Sequence, residues 1–139
     1  MVYQSEIKFS TTGYGHLQNM TSEVQKIISQ SEIDVGIVHI FNVGSTAALL
    51  TIEFEPGLEA DLPLVMEHLI PQSRDYGHEG TWHDGNAHSH LQATVLGAGI
   101  TIPIRAGQLV LGTWQQLCHI ECDIKPRKRA LIVTIIGDE

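Results

Sequence analysis

The sequence predicts a single, strand-rich α+β domain, and three observations carry that reading. At 139 residues the chain has room for one hydrophobic core, since domains usually take ~100–200 residues. Alternating or β-branched runs recur along most of it, separated by Gly- and Pro-containing turns. Only two segments carry helical spacing. About two helices against about eight strands, mostly joined by short turns, is an α+β pattern.

Val2 to Phe9 reads as the first strand, with Val2, Gln4, Glu6 and Lys8 alternating against Tyr3, Ile7 and Phe9. Thr11 to Gly15 breaks it. Ser22 and Gln25 have capping-box spacing, and Val24, Ile27 and Ile28 give a short helix one apolar face. Val35 to Val43 is a buried-strand candidate rich in β-branched and aromatic residues. The turn Gly44-Ser45-Thr46 leads to a strand over Ala47 to Phe54, ended by Pro56 and Gly57. Leu58, Leu62, Val65, Met66 and Leu69 recur at helical spacing. Proline is tolerated in the first turn of a helix, so Pro63 predicts a start near Asp61, and Pro71 a stop. Gln72 to His90 is polar, contains glycine and reads as a long functional loop. Strands follow at Leu91 to Leu96, Gly99 to Ile104, Gln108 to Leu111, Gln115 to Cys122 and Arg129 to Ile136, with Ala106-Gly107 as a turn.

Hydrophobic residues make up 42% of the chain and charged residues 17%, a balance that excludes general disorder. Net charge is −8, which disfavours nucleic acid as a partner, because phosphate backbones call for a basic face. No apolar run reaches the ~18–20 residues of a membrane helix, and Met1 to Ser10 lacks the continuous apolar stretch of a signal peptide. A cytoplasmic protein with no membrane partner is expected. Cys118 and Cys122 fit a reducing compartment. On one strand their Cα atoms would lie about 13 Å apart, too far for a disulfide or a shared ion.

The charge is unevenly spread. Lys125, Arg127, Lys128 and Arg129 are half of the eight cations, and His78, His83, His88 and His90 are half of the eight histidines. If extended, His88 and His90 point to one side about 7 Å apart, close enough to share an ion. A third ligand from His78 or His83 would complete the open three-ligand arrangement of a catalytic zinc site. Glu79, Asp84 or the remote Glu53 would orient an imidazole or hold a water. Strand alternation puts Arg127 and Arg129 on one side. There they suit bidentate capture of phosphate or carboxylate, or a charged edge that deters sheet pairing. Gly112-Thr113-Trp114-Gln115 offers a hydroxyl, a stacking plane and an amide at a strand end, or else a bulge carrying a core tryptophan.

With these residues in view the sequence resembles the YjbQ-like family of secondary thiamine-phosphate synthases over essentially its whole length. The most specific portion is Gly107-x4-Gly112-Thr113-Trp114-Gln115 after Ile102-Pro103-Ile104. Asp84-Gly85-Asn86-Ala87-His88-Ser89-His90 and Pro126-Arg127-Lys128-Arg129 support it. The resemblance implies a compact β-rich homotrimer, a site near a subunit boundary, and metal-binding histidines. His78, His90, Glu53, Asp61, Arg127 and Arg129 fall at matching positions. Two departures stand out. Gly44-Ser45-Thr46-Ala47 replaces a motif that begins with histidine, and Ile52-Glu53-Phe54 replaces Asn-Glu-Asn.

The activity so implied joins hydroxymethylpyrimidine diphosphate to thiazole phosphate and releases pyrophosphate. Arg127, Arg129 and a divalent ion (zinc, magnesium or manganese) would take the pyrophosphate. His78, His88 and His90 would hold the ion, with Glu53 orienting. Thr113, Trp114, Gln115 and Asn86 would line the pocket for a small phosphorylated metabolite. Two alternatives are metal-assisted hydrolysis of a phosphorylated or heterocyclic metabolite, and a trimeric module that binds a metal or an anion without catalysis.

Overall fold

Exposed and half-buried side chains alternate along Val2–Ser10 (β1), the mark of a strand with one face on a core. In a computed structural model that describes residues 1–139, β1 is followed by β2 (Leu17–Asn19), α1 (Thr21–Ser31), β3 (Val35–Asn42) and β4 (Ala47–Glu53). Three helices come next: α2 (Pro56–Leu69), α3 (Gly77–Trp82) and α4 (Ala87–Leu96). The chain closes with β5 (Gly99–Arg105), β6 (Gln108–Leu109), β7 (Gln115–Glu121) and β8 (Lys128–Asp138). The result is a compact α+β domain of eight strands and four helices.

The strands form two antiparallel sheets, one ordered β1-β8-β3-β5-β6 and the other β2-β7-β4. Strand β7 shows how the layers stack. Leu117 faces the larger sheet and joins Val38, Ile40, Leu131, Val133 and Ile135, together with Val24 and Ile28 of α1. Cys118 and Ile120 face the other way, into a smaller core with Ala48, Leu62, Ala93 and Leu96. The small sheet therefore lies between the large sheet and the pair α2 and α4. Both cysteines are buried free thiols. No helix is long and apolar enough to cross a membrane.

Several local expectations are corrected. There are four helices where two were expected, because the supposed loop from Gln72 contains α3 and the first turn of α4. Leu91 to Leu96 is helix and not strand. A short apolar run does not separate the two by period, and Ala93 and Leu96 lie three apart, which puts both on the face packed against the small sheet. Helix α2 starts at Pro56 rather than near Asp61. Gly57 N–H donates to Glu55 Oε2 at 2.9 Å, so Glu55 caps the helix with Pro56 as its first residue, and Pro63 is carried inside. The Ser22–Gln25 capping box does not form. Asn19 Oδ1 accepts from Thr21 N–H at 3.0 Å, while the Gln25 amide is bound to Gly107 O and Leu109 N at 2.9 and 3.0 Å. The predicted strand Gln108–Leu111 shortens to two residues, and Arg129–Ile136 lengthens to Lys128–Asp138.

Candidate functional site

Helix α3 ends at His83, whose left-handed backbone (φ 57°) turns the chain, and Gly85 (φ +71°) completes the reversal into α4. The reversal folds α3 back on the start of α4. Ala87 N–H donates to Glu79 Oε1 at 2.8 Å, which places a carboxylate at the positive end of the α4 dipole. His78, Glu79 and Asp84 are thereby gathered so that one ligand atom from each lies within 4.8 Å of the others. The His90 ring comes from the first turn of α4 to a centroid distance of 4.7 Å from His78.

Electrostatics within this group suit a cation. His78 Nε2 lies 3.1 Å from Asp84 Oδ1 and 3.0 Å from the side-chain amide of Asn86. With the Asn86 NH2 turned toward Asp84, it donates to Asp84 Oδ1 at 2.8 Å and to His78 Nε2 at 3.0 Å. That contact occupies the single Nε2 lone pair, so a proton or a metal ion taken between His78 Nε2 and Asp84 Oδ1 replaces the Asn86 hydrogen bond, while Asn86 keeps its hold on Asp84. The N–O edge of a tetrahedral site with bonds of ~2.0–2.1 Å is about 3.3 Å, close to the spacing seen. The residues therefore fit a divalent ion. Beside them opens a cavity of about 540 Å³ lined by Ser45, Tyr76, Gly77, His78, Ala87 and His90. Ser45, from the β3–β4 turn, has no metal-ligand signature in the sequence and enters only through the fold.

The other candidates divide. His88 does not share the cavity with His90. Both are on a helix, where two residues are about 200° apart, and the expected extended geometry is absent. His88 is buried beside Tyr14, and its basicity is lowered by burial against the opposing pull of Glu67, Glu79 and Asp123. His83 is exposed at the α3 terminus.

Glu53 and Gln115 pair at one end of β4 and β7, whereas Ala47 and Glu121 pair at the end near Ser45. Six residues of strand span about 20 Å, so Glu53, Thr113, Trp114 and Gln115 are remote from His78 within one chain. Gln115 Nε2 donates to Thr51 Oγ1 at 3.0 Å, and its Oε1 accepts from Gly112 N–H at 3.0 Å, which closes the turn. Trp114 is 72% exposed, which excludes the core-tryptophan alternative.

Arg127 and Arg129 flank the near end. Arg129 Nε donates to Glu121 Oε1 at 2.8 Å, Nη2 donates to Oε2 and to Thr46 Oγ1 (2.8 Å for the latter), and the whole assembly is buried. Arg127 Nε donates to Asp123 Oδ2 at 2.8 Å. Burial alone would raise the Asp123 carboxyl, but hydrogen bonds from Ile124 N–H, Thr46 and Arg127 hold it below its ordinary value. Both guanidinium charges are thus met by carboxylates. A Cβ on Gly44 would stand 2.8 Å from Arg129 Nη1, so the glycine makes room for this buried arginine. Lys8, Lys128 and Arg129 line a groove of about 440 Å³ nearby.

Comparison with known proteins agrees with this architecture. Residues 5–138 match the family model described as UPF0047 protein YjbQ-like. A UPF0047 protein of Methanothermobacter thermautotrophicus is 36% identical over 136 residues, covering 98% of this chain and 93% of that protein. A UPF0047 protein of Archaeoglobus fulgidus is 34% identical, covering 92% and 97%. Among solved structures, a YbjQ-like protein of unknown function from Sulfolobus solfataricus superposes with a TM-score of 0.92 at 37% identity, covering 99% of each chain. An uncharacterized conserved protein of Clostridium acetobutylicum gives a TM-score of 0.84 at 31% identity, covering 94% and 99%. The sequence match and the shared fold both run nearly end to end, and the chain belongs to the UPF0047 (YjbQ-like) family.

Proposed function

We propose that this protein is a divalent-metal-dependent enzyme acting on a small phosphorylated metabolite, with the ion held by His78, Asp84 and His90 and with Glu79 at its edge. One observation carries the reading: His78, Glu79 and Asp84 converge within 4.8 Å, with the His90 ring 4.7 Å from that of His78. A mixed imidazole and carboxylate set suits zinc best, with manganese next. Bound there, the ion would supply Lewis-acid stabilisation of negative charge.

The reaction implied by the family resemblance is the joining of hydroxymethylpyrimidine diphosphate to thiazole phosphate. Departing pyrophosphate leaves a pyrimidine-methyl cation, so the protein must receive negative charge and hold the thiazole nitrogen in line. Lys8 and Lys128, which line the groove beside Arg129, are the cations suited to the phosphates. The pairing of Arg129 with Glu121 makes it a positioning residue for the Gly44–Thr46 turn. Asn86 orients His78 and Asp84.

A homotrimer belongs to the same reading. Val35, Ile37, Phe41 and Ile136 share the outer face of the large sheet and are each 43–59% exposed. A polar row of Thr101, His39 and Thr134 crosses this face, and exposed apolar groups around a polar centre suit a partner surface. Assembly would also offer a route for Thr113, Trp114 and Gln115 of one copy to approach the histidines of another. The set of nitrogen and oxygen donors, with Asp84 half exposed, favours one second reading, metal-assisted hydrolysis of a phosphorylated or heterocyclic metabolite.

A coupled assay for thiamine phosphate, with metal added back to chelator-treated protein, tests the proposal. Wild type should turn over with metal, and His78→Ala and His90→Ala should each lose at least about 100-fold, the scale on which a positioned catalytic group contributes. A rate that survives both substitutions contradicts the site. Metal-dependent release of inorganic phosphate without condensation would favour the hydrolytic reading.

A further inference from the structure

Behind α4, away from the His78 cavity, lies a second cavity of about 420 Å³ whose walls include Tyr14, Pro63, Leu64, Glu67, His88 and Ile124. Five of these residues come from the β1–β2 connection, α2 and α4, and no sequence motif links them. The site has a built polar end. Tyr14 OH donates to Glu67 Oε2 at 3.3 Å and accepts from Gln92 Nε2 at 2.8 Å, and Gln92 is itself buried and anchored to Ile70 O at 3.0 Å. Glu67 Oε1 accepts from Gln72 N–H at 3.0 Å.

Two polar groups keep unused capacity, Glu67 as a hydrogen-bonded carboxylate without a cation and His88 without a hydrogen bond. Glu67 has no cationic partner, since the ion pairs of the chain involve Glu6, Asp84, Asp123 and Glu121. The His88 imidazole is only 2% exposed and lines the cavity, yet neither ring nitrogen is hydrogen-bonded within the protein. Its ring nitrogens are not sealed from solvent, so an entering ligand can supply the hydrogen bond that the protein does not. The surrounding charges are of one sign. Glu67, Glu79 and Asp123 are the ionised groups that act on His88, and only Asp123 is paired with a cation. The remaining wall is apolar, from Pro63, Leu64, Ile124 and the Tyr14 ring.

We infer that this cavity is a binding site for a small organic monocation, a protonated amine or amidinium carried on an apolar or aromatic body. Glu67 supplies the charge partner, and the His88 ring, which makes no hydrogen bond within the protein, offers a further polar contact to the ligand. The Tyr14 ring offers a face to the cation, and Pro63, Leu64 and Ile124 cover the apolar body. An anion or a neutral isostere lacks the Glu67 contact. The cavity lies on the opposite side of α4 from His90, so this inference does not depend on a metal at His78.

Benzamidine is a suitable probe, with benzamide and benzoate as neutral and anionic isosteres. Titration into the full-length chain, read by calorimetry and by the imidazole C–H resonances of His88, should show saturable binding of benzamidine and none of either isostere at the same concentrations. Glu67→Gln should weaken it by at least about tenfold, the loss expected for a charge-assisted pair. Leu64→Arg, at a position 68% exposed at the cavity mouth and therefore compatible with folding, should abolish it by placing a cation there. Equal binding of benzamide or benzoate, affinity unchanged by Glu67→Gln and Leu64→Arg, or shifts at His78 and His90 in place of His88 would each overturn the assignment.

Discussion

Arg129 and His119 are the residues whose surroundings decide most at the smallest scale. Arg129 offsets the charge of Glu121, which has no exposure to solvent, so Arg129→Ala leaves a buried carboxylate without its cation. Breaking such a pair from one side costs about 3–5 kcal/mol, and urea unfolding should read that loss. A change below ~1 kcal/mol would mean that the pair is not desolvated in solution. His119 Nε2 is 3.0 Å from Asn42 Oδ1, its Nδ1 has no partner, and its ring meets Phe9 edge-on at 4.9 Å. Burial first, and then Arg129 and His16, push its pKa down to about 3. The native state therefore refuses a proton that the unfolded chain accepts below about pH 6.5. Stability from this group is complete above that pH and declines as pH falls toward 3, by up to ~1.4 kcal/mol per unit. Urea midpoints of metal-free protein between pH 6.5 and 4.5 should show the slope, and His119→Gln should flatten it. An unchanged slope in that variant would assign the acid sensitivity elsewhere.

Among the elements, strands were far more legible in the sequence than helices. The alternation of Tyr3, Ile7 and Phe9 and the β-branched run from Val35 depend on neighbours one or two residues away, and both strands form near the expected bounds. Pro63 reads as a start signal for α2, whereas the stronger signal is the Glu55 carboxylate capping the amides of Gly57 and Leu58 just after Pro56. Glu55→Ala should cost about 1 kcal/mol in thermal or urea unfolding, whereas a helix that began near Asp61 would leave stability unchanged. Helices α3 and α4 escaped notice because each is short and their caps use His83 and Asn86, neither of which bonds through its side chain to the helix it bounds. Read as extended, His88 and His90 share a side. Read as helix, they face different cavities, and His90 instead meets His78 across the α3–α4 reversal.

At the scale of the molecule, family membership was visible in Gly112-Thr113-Trp114-Gln115 and the histidine-rich stretch, but the assembly of the site was not. Linear spacing cannot reveal that Ser45 lines the His78 cavity, or that the two arginines arrive already paired with Glu121 and Asp123. Nor does it show that the Trp114 turn stands about 20 Å along the sheet from the histidines. The proposed homotrimer answers that separation. Light scattering should give three times the chain mass of 15.3 kDa, and Ile37→Asp on the open sheet face should release monomers. A wild-type monomer would contradict a site shared between copies.

The central claim is a divalent-ion site made by His78, Asp84 and His90, and metal content tests it most directly. Protein purified without a nickel column and then incubated with zinc or manganese should retain close to one ion per chain after desalting, reduced at least about tenfold in His78→Ala and His90→Ala, and little changed in His83→Ala. Retention below about 0.1 ion per chain with each metal, or equal retention in the His78 and His90 variants, would contradict the account, because transition-metal sites with imidazole ligands hold their ions through such treatment.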